Sequence, residues 1–273
     1  MGRAGRRAGG EIVRPPLVAR ARRGLPAGLL CLAALCAASS PTTAEVVFDN
    51  PTSQILRNNY ISGARAPRHT HRSGRFIFVL SGGTLRVSTK EPKEGSAPPE
   101  PGRPPELVLR ERDILLTSGS ASFRCPETHA IENVGSGEIS VFEVEMKEAD
   151  GSSCAPEDTV ADPPQGEVAG SGQILFRNRF GTVLLHHVAP RETLTPAFPG
   201  HDRAFLWLSG GVVRVTMADG TVRLVPHHPG EFNWLAGGRE TAGVNEGAAP
   251  IDAVEIVIER ALPSRRIVIR NLD

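Results

Sequence analysis

The chain has 273 residues, and its 31 basic and 30 acidic side chains almost cancel, so no strong net field favours nucleic acid or an acidic surface. Glycine (29) and proline (23) are abundant, which is typical of short strands joined by turns and argues against a helical bundle. No Gly-rich phosphate loop, Gly-x-Ser-x-Gly elbow or Asp-x-Asp calcium loop occurs. One tyrosine and two tryptophans give no stacking platform for nucleic acid, so we expect no nucleic-acid partner.

Residues 1–44 have the layout of a signal peptide. Arginines up to Arg23 precede the apolar run Leu25–Ala38, and small residues follow as far as Ala44. The apolar run is about 14 residues long, shorter than the roughly 20 residues that span a membrane. We therefore expect an exported protein, periplasmic or secreted, with no membrane span after leader removal. An Arg-rich transit peptide for an organelle is the alternative.

Short strands follow in chain order. Phe142–Met146 alternates apolar and charged residues, which predicts apolar side chains facing in and charged ones facing out. Arg203–Met217 predicts a hairpin that turns at Ser209–Gly211, and the Pro-rich segment Lys90–Pro105 predicts an exposed loop. No segment has a helical period, so the fold class is all-β. Four further segments are rich in Val, Ile, Leu and Phe and are predicted strands: Arg75–Leu80, Thr84–Thr89, Glu106–Arg110 and Ile139–Lys147.

The chain after the leader contains two copies of one pattern. An acidic segment rich in Pro, Gly and Ser separates them, which predicts domains at 45–149 and 172–273 joined by a linker at 150–171. Four pairs of segments match in the same order: Ser53–Asn58 with Gly172–Asn178, Phe78–Val87 with Leu206–Val215, Glu132–Gly135 with Val244–Gly247, and Phe142–Glu145 with Val254–Val257.

Histidines of the first copy form the best candidate site. His69 and His71 are two residues apart, so on a strand both side chains point to the same face. His129, arriving on a neighbouring strand, would complete a set of three imidazoles. Neutral imidazoles suit Fe(II), Mn, Ni or Zn, and three ligands leave coordination positions open for substrate or water. The candidate cofactor is therefore a divalent metal held by His69, His71 and His129.

The run Gly63–Gly82 resembles the first motif of the cupin family: Gly, five residues, His-x-His, three residues, usually Glu, six residues and Gly. His129–Asn133 resembles the end of the second cupin motif, although Arg112-Asp113 stands where Gly-Asp is usual. The resemblance covers residues 45 to about 260. It implies two tandem cupin barrels of the double-stranded β-helix, or jelly-roll, type: a bicupin.

Arg75 stands where cupin metalloproteins usually have a ligating Glu. A guanidinium about 5 Å from a dication would cost on the order of 6 kcal/mol at an effective dielectric constant of 20. Three alternatives follow: Arg75 turns away, the metal is weak or absent, or Arg75 binds an anionic substrate. Arg203 occupies the equivalent position in a copy without the histidines, which favours a structural ion pair, while Arg75 stays the candidate substrate-binding residue.

The second copy lacks the metal ligands. Ala197 and Pro199 replace the two histidines, and Thr241 lies where the third is expected. The remaining histidines of this copy are interpreted as surface or turn residues. The C-terminal cupin domain is therefore a degenerate one without a metal site.

Two functions fit these observations. In the first, the N-terminal barrel is a mononuclear metalloenzyme of dioxygenase type acting on a small organic substrate. If Arg75 binds the substrate, that substrate is anionic. In the second, both barrels are non-catalytic and hold a small-molecule ligand or act as a scaffold. Cys125 and Cys154 remain after leader removal, and an oxidising compartment permits a disulfide between them without requiring it. A homodimer is a further expectation.

Overall fold

The computed structural model describes residues 42–92, 107–147, 154–159, 168–198, 200–216, 220–237 and 242–259. In these ranges nearly all regular structure is β-strand, and the one helical element is a 3-10 turn at Pro156–Thr159. No described helix is long and apolar enough to cross a membrane. The predicted leader lies outside the described residues except for its last three positions.

The N-terminal half, residues 42–147, consists of two antiparallel sheets. One sheet has the strand order β1-β2-β9-β4-β7 and the other has the order β3-β8-β5-β6. The strands are β1 (Thr43–Asp49), β2 (Ser53–Tyr60), β3 (Arg65–His71), β4 (Arg75–Ser81), β5 (Gly83–Pro92), β6 (Leu107–Leu116), β7 (Ala121–Arg124), β8 (Glu127–Asn133) and β9 (Ile139–Met146).

The C-terminal half, residues 168–259, repeats this plan with one added strand, β10. Its sheets have the orders β10-β11-β12-β19-β14-β17 and β13-β18-β15-β16, so each strand from β11 to β19 corresponds to one from β1 to β9. The strands are β10 (Val168–Ala169), β11 (Gly172–Asn178), β12 (Gly181–Val188), β13 (Thr193–Leu194), β14 (Asp202–Trp207), β15 (Gly211–Thr216), β16 (Val222–His227), β17 (Phe232–Leu235), β18 (Gly243–Asn245) and β19 (Ile251–Ile258). The all-β double jelly roll is thus confirmed.

The strand pairing corrects the first of the four repeat matches. Leu56 of β2 lies opposite Glu143, just as Leu184 of β12 lies opposite Glu255. The segment Ser53–Asn58 is therefore equivalent to part of β12, and its predicted match with Gly172–Asn178 is wrong because that segment forms β11. The other three matches fall in equivalent strands.

Arg203–Met217 contains two strands, β14 and β15, but they do not form the predicted hairpin. β14 pairs with β17 and β19, whereas β15 pairs with β16 and β18 in the other sheet. The glycines at Ser209–Gly211 therefore carry the chain from one sheet to the other. The hairpin pattern was misleading because two apolar strands joined by a tight turn look alike whether they pair or separate.

The largest apolar core joins the two halves. Phe142 and Val144 of β9 pack in one buried cluster with Phe176 and Val254 of the C-terminal half. The outer face of β9 is consequently covered rather than solvated. Glu143, which is 5% exposed, lines a cavity inside the N-terminal half. The apolar side chains of this strand are buried as predicted, but the prediction that its charged side chains face out is wrong for Glu143. The second half covers the apolar face of β9, and Glu143 lies on the face that lines the N-terminal cavity.

Cys125 and Cys154 form a disulfide, with a Cα–Cα distance of 5.7 Å and a sequence separation of 29. The bond ties the end of β7 to the segment before the 3-10 turn, where Asp158 also pairs with Arg179. Closing a loop of this length stabilises a fold by about 3–4 kcal/mol in the chain-entropy model. The structure therefore contains the disulfide that the sequence permits without requiring.

Candidate metal centre

The three predicted ligands meet at one point between β3 and β8. His69 and His71 both lie on β3, and His129 on β8 is the direct cross-strand partner of His69. Nε2 of His69 lies 3.0 Å from Nε2 of His71 and 3.2 Å from Nε2 of His129. The three side chains form a group that could hold a metal ion.

The second nitrogen of each ring faces an oxygen. Nδ1 of His69 lies 2.8 Å from the carbonyl oxygen of Pro67, Nδ1 of His71 contacts the Glu145 carboxylate, and Nδ1 of His129 lies 3.2 Å from Oε1 of Glu127. The acceptors at His69 and His71 place the proton on Nδ1 and leave the Nε2 lone pair free, as in most histidine ligands of metals. Nδ1 of His129 is buried beside Glu127 without a hydrogen bond to any described residue. Burial lowers the pKa of His69, which keeps that ring neutral.

A divalent ion fits this geometry. Imidazole nitrogens bind transition metals at about 2.0–2.1 Å, and two such ligands at right angles are then roughly 3.0 Å apart. The two measured Nε2 separations match the edges of such a set. Three lone pairs this close repel one another, and a cation between them removes the repulsion. The donor set therefore suits a three-histidine site with open positions.

Arg75 is 2% exposed and its guanidinium is paired with acids. Its Nη2 donates to Glu127 at 2.8 Å, and its Nε lies 3.3 Å from Oε2 of Glu143. Burial raises the pKa of Glu127, but the close contact with His129 and the charge of Arg75 outweigh it and hold that pKa at about 2. Glu127 is thus ionised, and the electrostatic cost expected of Arg75 is offset by its neighbours. These contacts match the ion-pair alternative, while substrate binding by Arg75 stays a prediction.

Three acids of this site, Glu127, Glu143 and Glu145, were missed in the sequence. Glu145 is the cross-strand partner of Arg75, and Glu143 is the partner of Ile77, so β9 carries both inward. The regular spacing of the two glutamates on a predicted strand was the available signal. The alternation predicts that the glutamates face solvent, whereas both faces of β9 are covered and Glu143 lines the interior of the N-terminal half.

Cavities lie on two sides of the three histidines. The inner cavity, of about 60 Å³, is lined by His129, Arg75 and Arg124 together with apolar side chains. The outer cavity, of about 250 Å³, is lined by His69 and His71 and by the start of β1. Both give room for a small molecule beside the histidines.

The C-terminal half has a buried ion-pair network at the equivalent place. It includes His186, which is 0% exposed, so the interpretation of this half's histidines as surface or turn residues is wrong for His186. Glu255 accepts from His186 Nε2 at 3.0 Å, from the Ala197 amide at 3.0 Å and from Arg203 Nη1 at 3.2 Å. Both groups of potential metal ligands found in the described ranges lie in the N-terminal half. Pro199 and Thr241 lie outside those ranges.

No protein-family model matches the sequence, and no curated protein matches it. Solved structures do. An oxalate decarboxylase of Lactobacillus farciminis in complex with formate is 12% identical with a TM-score of 0.53, over 80% of this chain and 81% of that one. An oxalate decarboxylase of Bacillus subtilis, an enzyme with Mn(II) centres, is 14% identical with a TM-score of 0.50, over 80% and 72%. The coconut allergen cocosin is 9% identical with a TM-score of 0.53, over 76% and 77%. The likeness to the two oxalate decarboxylases, together with the repeated sheet topology of the two halves, shows that the chain has the bicupin fold.

Proposed function

We propose that the N-terminal half is a mononuclear metal centre, with one divalent ion bound by Nε2 of His69, His71 and His129. One observation carries the proposal: Nε2 of His69 lies 3.0 Å from Nε2 of His71 and 3.2 Å from Nε2 of His129, and all three ligand atoms lie within 4.8 Å of one another. In a cluster of histidines with a purely structural role, we would expect each Nε2 atom to form a hydrogen bond with a separate partner.

We further propose an oxidoreductase of dioxygenase type, acting on a small organic molecule. A bound divalent ion supplies Lewis acidity and open positions for substrate, and a redox-active ion such as Fe(II) also supplies electrons. The chain's own residues do the positioning. Glu145 holds the ring of His71 in one tautomer, which raises the basicity of its ligand nitrogen, and the carboxylate of Glu127 lies 3.2 Å from Nδ1 of His129.

Arg75 is the observation that favours a second candidate, a non-catalytic bicupin that holds a small ligand. Its guanidinium takes the place of the usual carboxylate ligand, so the site has one anionic ligand fewer than typical cupin metalloproteins. A metal-free shell with the same cavities would still bind a small molecule. Metal uptake separates the two functions.

We also propose that the protein is exported, or sent to an organelle, and leave a homodimer as an expectation. The disulfide between Cys125 and Cys154 supports an oxidising compartment, because such bonds persist outside the reducing cytosol. The leader layout described above is the second support.

Metal uptake by protein lacking residues 1–44 tests the proposal. The chelator-treated protein is incubated separately with Fe(II) under nitrogen, Mn(II), Ni(II) and Zn(II), desalted, and analysed by mass spectrometry of metals. We expect about one ion per chain for at least one metal, together with a higher unfolding temperature, since a ligand that binds only the folded state stabilises it. Protein that stays metal-free with all four ions contradicts the metal centre and leaves the ligand-binding shell.

A further inference from the structure

The inner cavity has a second polar end at the edges of the two N-terminal sheets. β6 is the last strand of one sheet and β7 is the last strand of the other. Arg112 on β6 and Arg124 on β7 both line the cavity, as does Arg75. Three guanidiniums therefore border one small space that reaches His129.

Two of these guanidiniums have no acidic partner. Arg75 is committed to Glu127 and Glu143, as described above. Arg112 and Arg124, in contrast, have no hydrogen bond or ion pair within the described part of the chain. Burial, partly offset by Glu127, lowers the pKa of Arg124, and the positive charges of Arg75 and Arg112 lower it further. Arginine nevertheless stays protonated in proteins, so an anion placed between them removes an unfavourable interaction.

The rest of the cavity is apolar and small. Its walls include Ile77, Leu85, Val87, Ile131 and Val141. An engineered apolar cavity of about 150 Å³ holds benzene, so a space of about 60 Å³ suits a shorter body. The chemistry of the cavity thus combines a cationic end, an apolar wall and the metal-facing His129.

We infer that Arg112 and Arg124 form a carboxylate-binding site, and that the substrate or ligand is a short-chain carboxylate with an apolar body. This deepens the proposed function by naming its substrate class. It moves anion recognition from Arg75 to Arg112, which stands where the second cupin motif usually has Gly, and to Arg124. Arginine suits the task because its fork of N–H donors matches a carboxylate.

The C-terminal half offers a built-in comparison. Arg112 lies opposite Val87, and its equivalent Arg223 lies opposite Val215. Arg124 lies opposite Arg75, but its equivalent opposite Arg203 is Leu235. The C-terminal half, which lacks the three-histidine group, therefore also lacks the equivalent of Arg124. The complete pair of arginines occurs in the half that has the histidines.

The test is a titration of protein lacking residues 1–44, metal-free and metal-loaded, with butyrate, butyramide and benzoate, read from the arginine Nε–H signals by NMR. We expect butyrate to shift the Arg112 and Arg124 signals and to bind about tenfold or more tightly than butyramide. Arg124→Gln and Arg112→Gln are each expected to weaken butyrate by a similar factor. Arg223→Gln, at the equivalent place in the other half, is the matched control and should leave the affinity unchanged. Benzoate, too large for the cavity, is expected to bind more weakly than butyrate.

Equal binding of butyrate and butyramide overturns the inference, as does wild-type affinity in either arginine variant or the absence of any butyrate binding. Arg112 is exposed, so Arg112→Gln decides the matter if Arg124→Gln fails to fold. The metal-free arm separates this test from that of the metal centre. If the protein binds butyrate but takes up no metal, the carboxylate site is supported and the metal centre is contradicted. If it takes up metal but does not bind butyrate, the metal centre is supported and the carboxylate site is contradicted.

Discussion

Protein carrying His69→Ala together with His71→Ala is expected to purify folded and without a stoichiometric metal ion. Two of the three converging Nε2 atoms are then missing, and His129 alone offers a single ligand. Loss of an outer partner of a ligand already lowers metal affinity by about 10–100-fold, so removing two ligands should lower it by more than about a hundredfold. Metal analysis and calorimetric titration measure both quantities.

The matched control removes two histidines from the other half. His187 and His228 are exposed, and His187→Ala with His228→Ala should keep metal affinity within about twofold of wild type, because neither residue is near the three-histidine group. Unchanged metal content in the His69/His71 variant would show that the ion binds elsewhere.

Replacing Glu255 by Ala is expected to lower the free energy of unfolding of the C-terminal half by about 3–5 kcal/mol. Glu255 is 0% exposed and is the acceptor for both Arg203 and His186, so its removal leaves a buried cation and a buried imidazole without a partner. Both tryptophans, Trp207 and Trp234, lie in this half. Urea unfolding followed by tryptophan fluorescence therefore reports on it directly.

Asp252→Ala is the control on the same strand. Asp252 pairs with His187, but the side chains are 45% and 67% exposed, and exposed pairs contribute about 0–1 kcal/mol. The companion variant Glu255→Met with Arg203→Met removes both charges and should recover part of the loss, since an apolar pair of similar volume often replaces a buried ion pair at little cost. A loss from Glu255→Ala no larger than that from Asp252→Ala would contradict the structural role of the network.

Local spacing was sufficient to predict that His69 and His71 lie on the same face of one strand. His69 and His71 share a face because side chains alternate along any strand, and this holds whichever sheet the strand joins. Arg75 is likewise recognised as a departure from the cupin pattern because its position within the motif is fixed relative to His71. Residues that belong to one short motif keep their relation when the rest of the fold is unknown.

Pairing between distant strands was not readable from such spacing. Glu145 of β9 reaches His71 of β3, which belongs to the other sheet, and Glu127 at the start of β8 reaches Arg75 of β4 in the same way. Both contacts join residues of the two facing sheets. The inward orientation of Glu143 depends on the C-terminal half, which covers the opposite face of β9. Alternation alone shows that two faces differ, but which face is the interior depends on what packs against each.

The two halves share an equivalent buried arginine–glutamate pair but differ in the residues around it. Arg75 with Glu143 and Arg203 with Glu255 are equivalent pairs inside the two sandwiches. In the C-terminal half the pair is completed by His186 and the Ala197 amide, so both Glu255 and Arg203 have partners within the fold. In the N-terminal half histidines stand beside the pair, and their ligand nitrogens face one another. A buried arginine–glutamate pair is thus present in both halves, and the three-histidine group lies beside it in the N-terminal half alone among the described residues.

X-ray absorption spectroscopy at the edge of the bound metal tests the central claim most directly. We expect a first shell with three imidazole nitrogens at about 2.0–2.2 Å and further light atoms from solvent. A shell dominated by carboxylate oxygens would contradict the account, because it would place the ion in the neighbouring group of His71, Glu143 and Glu145 instead.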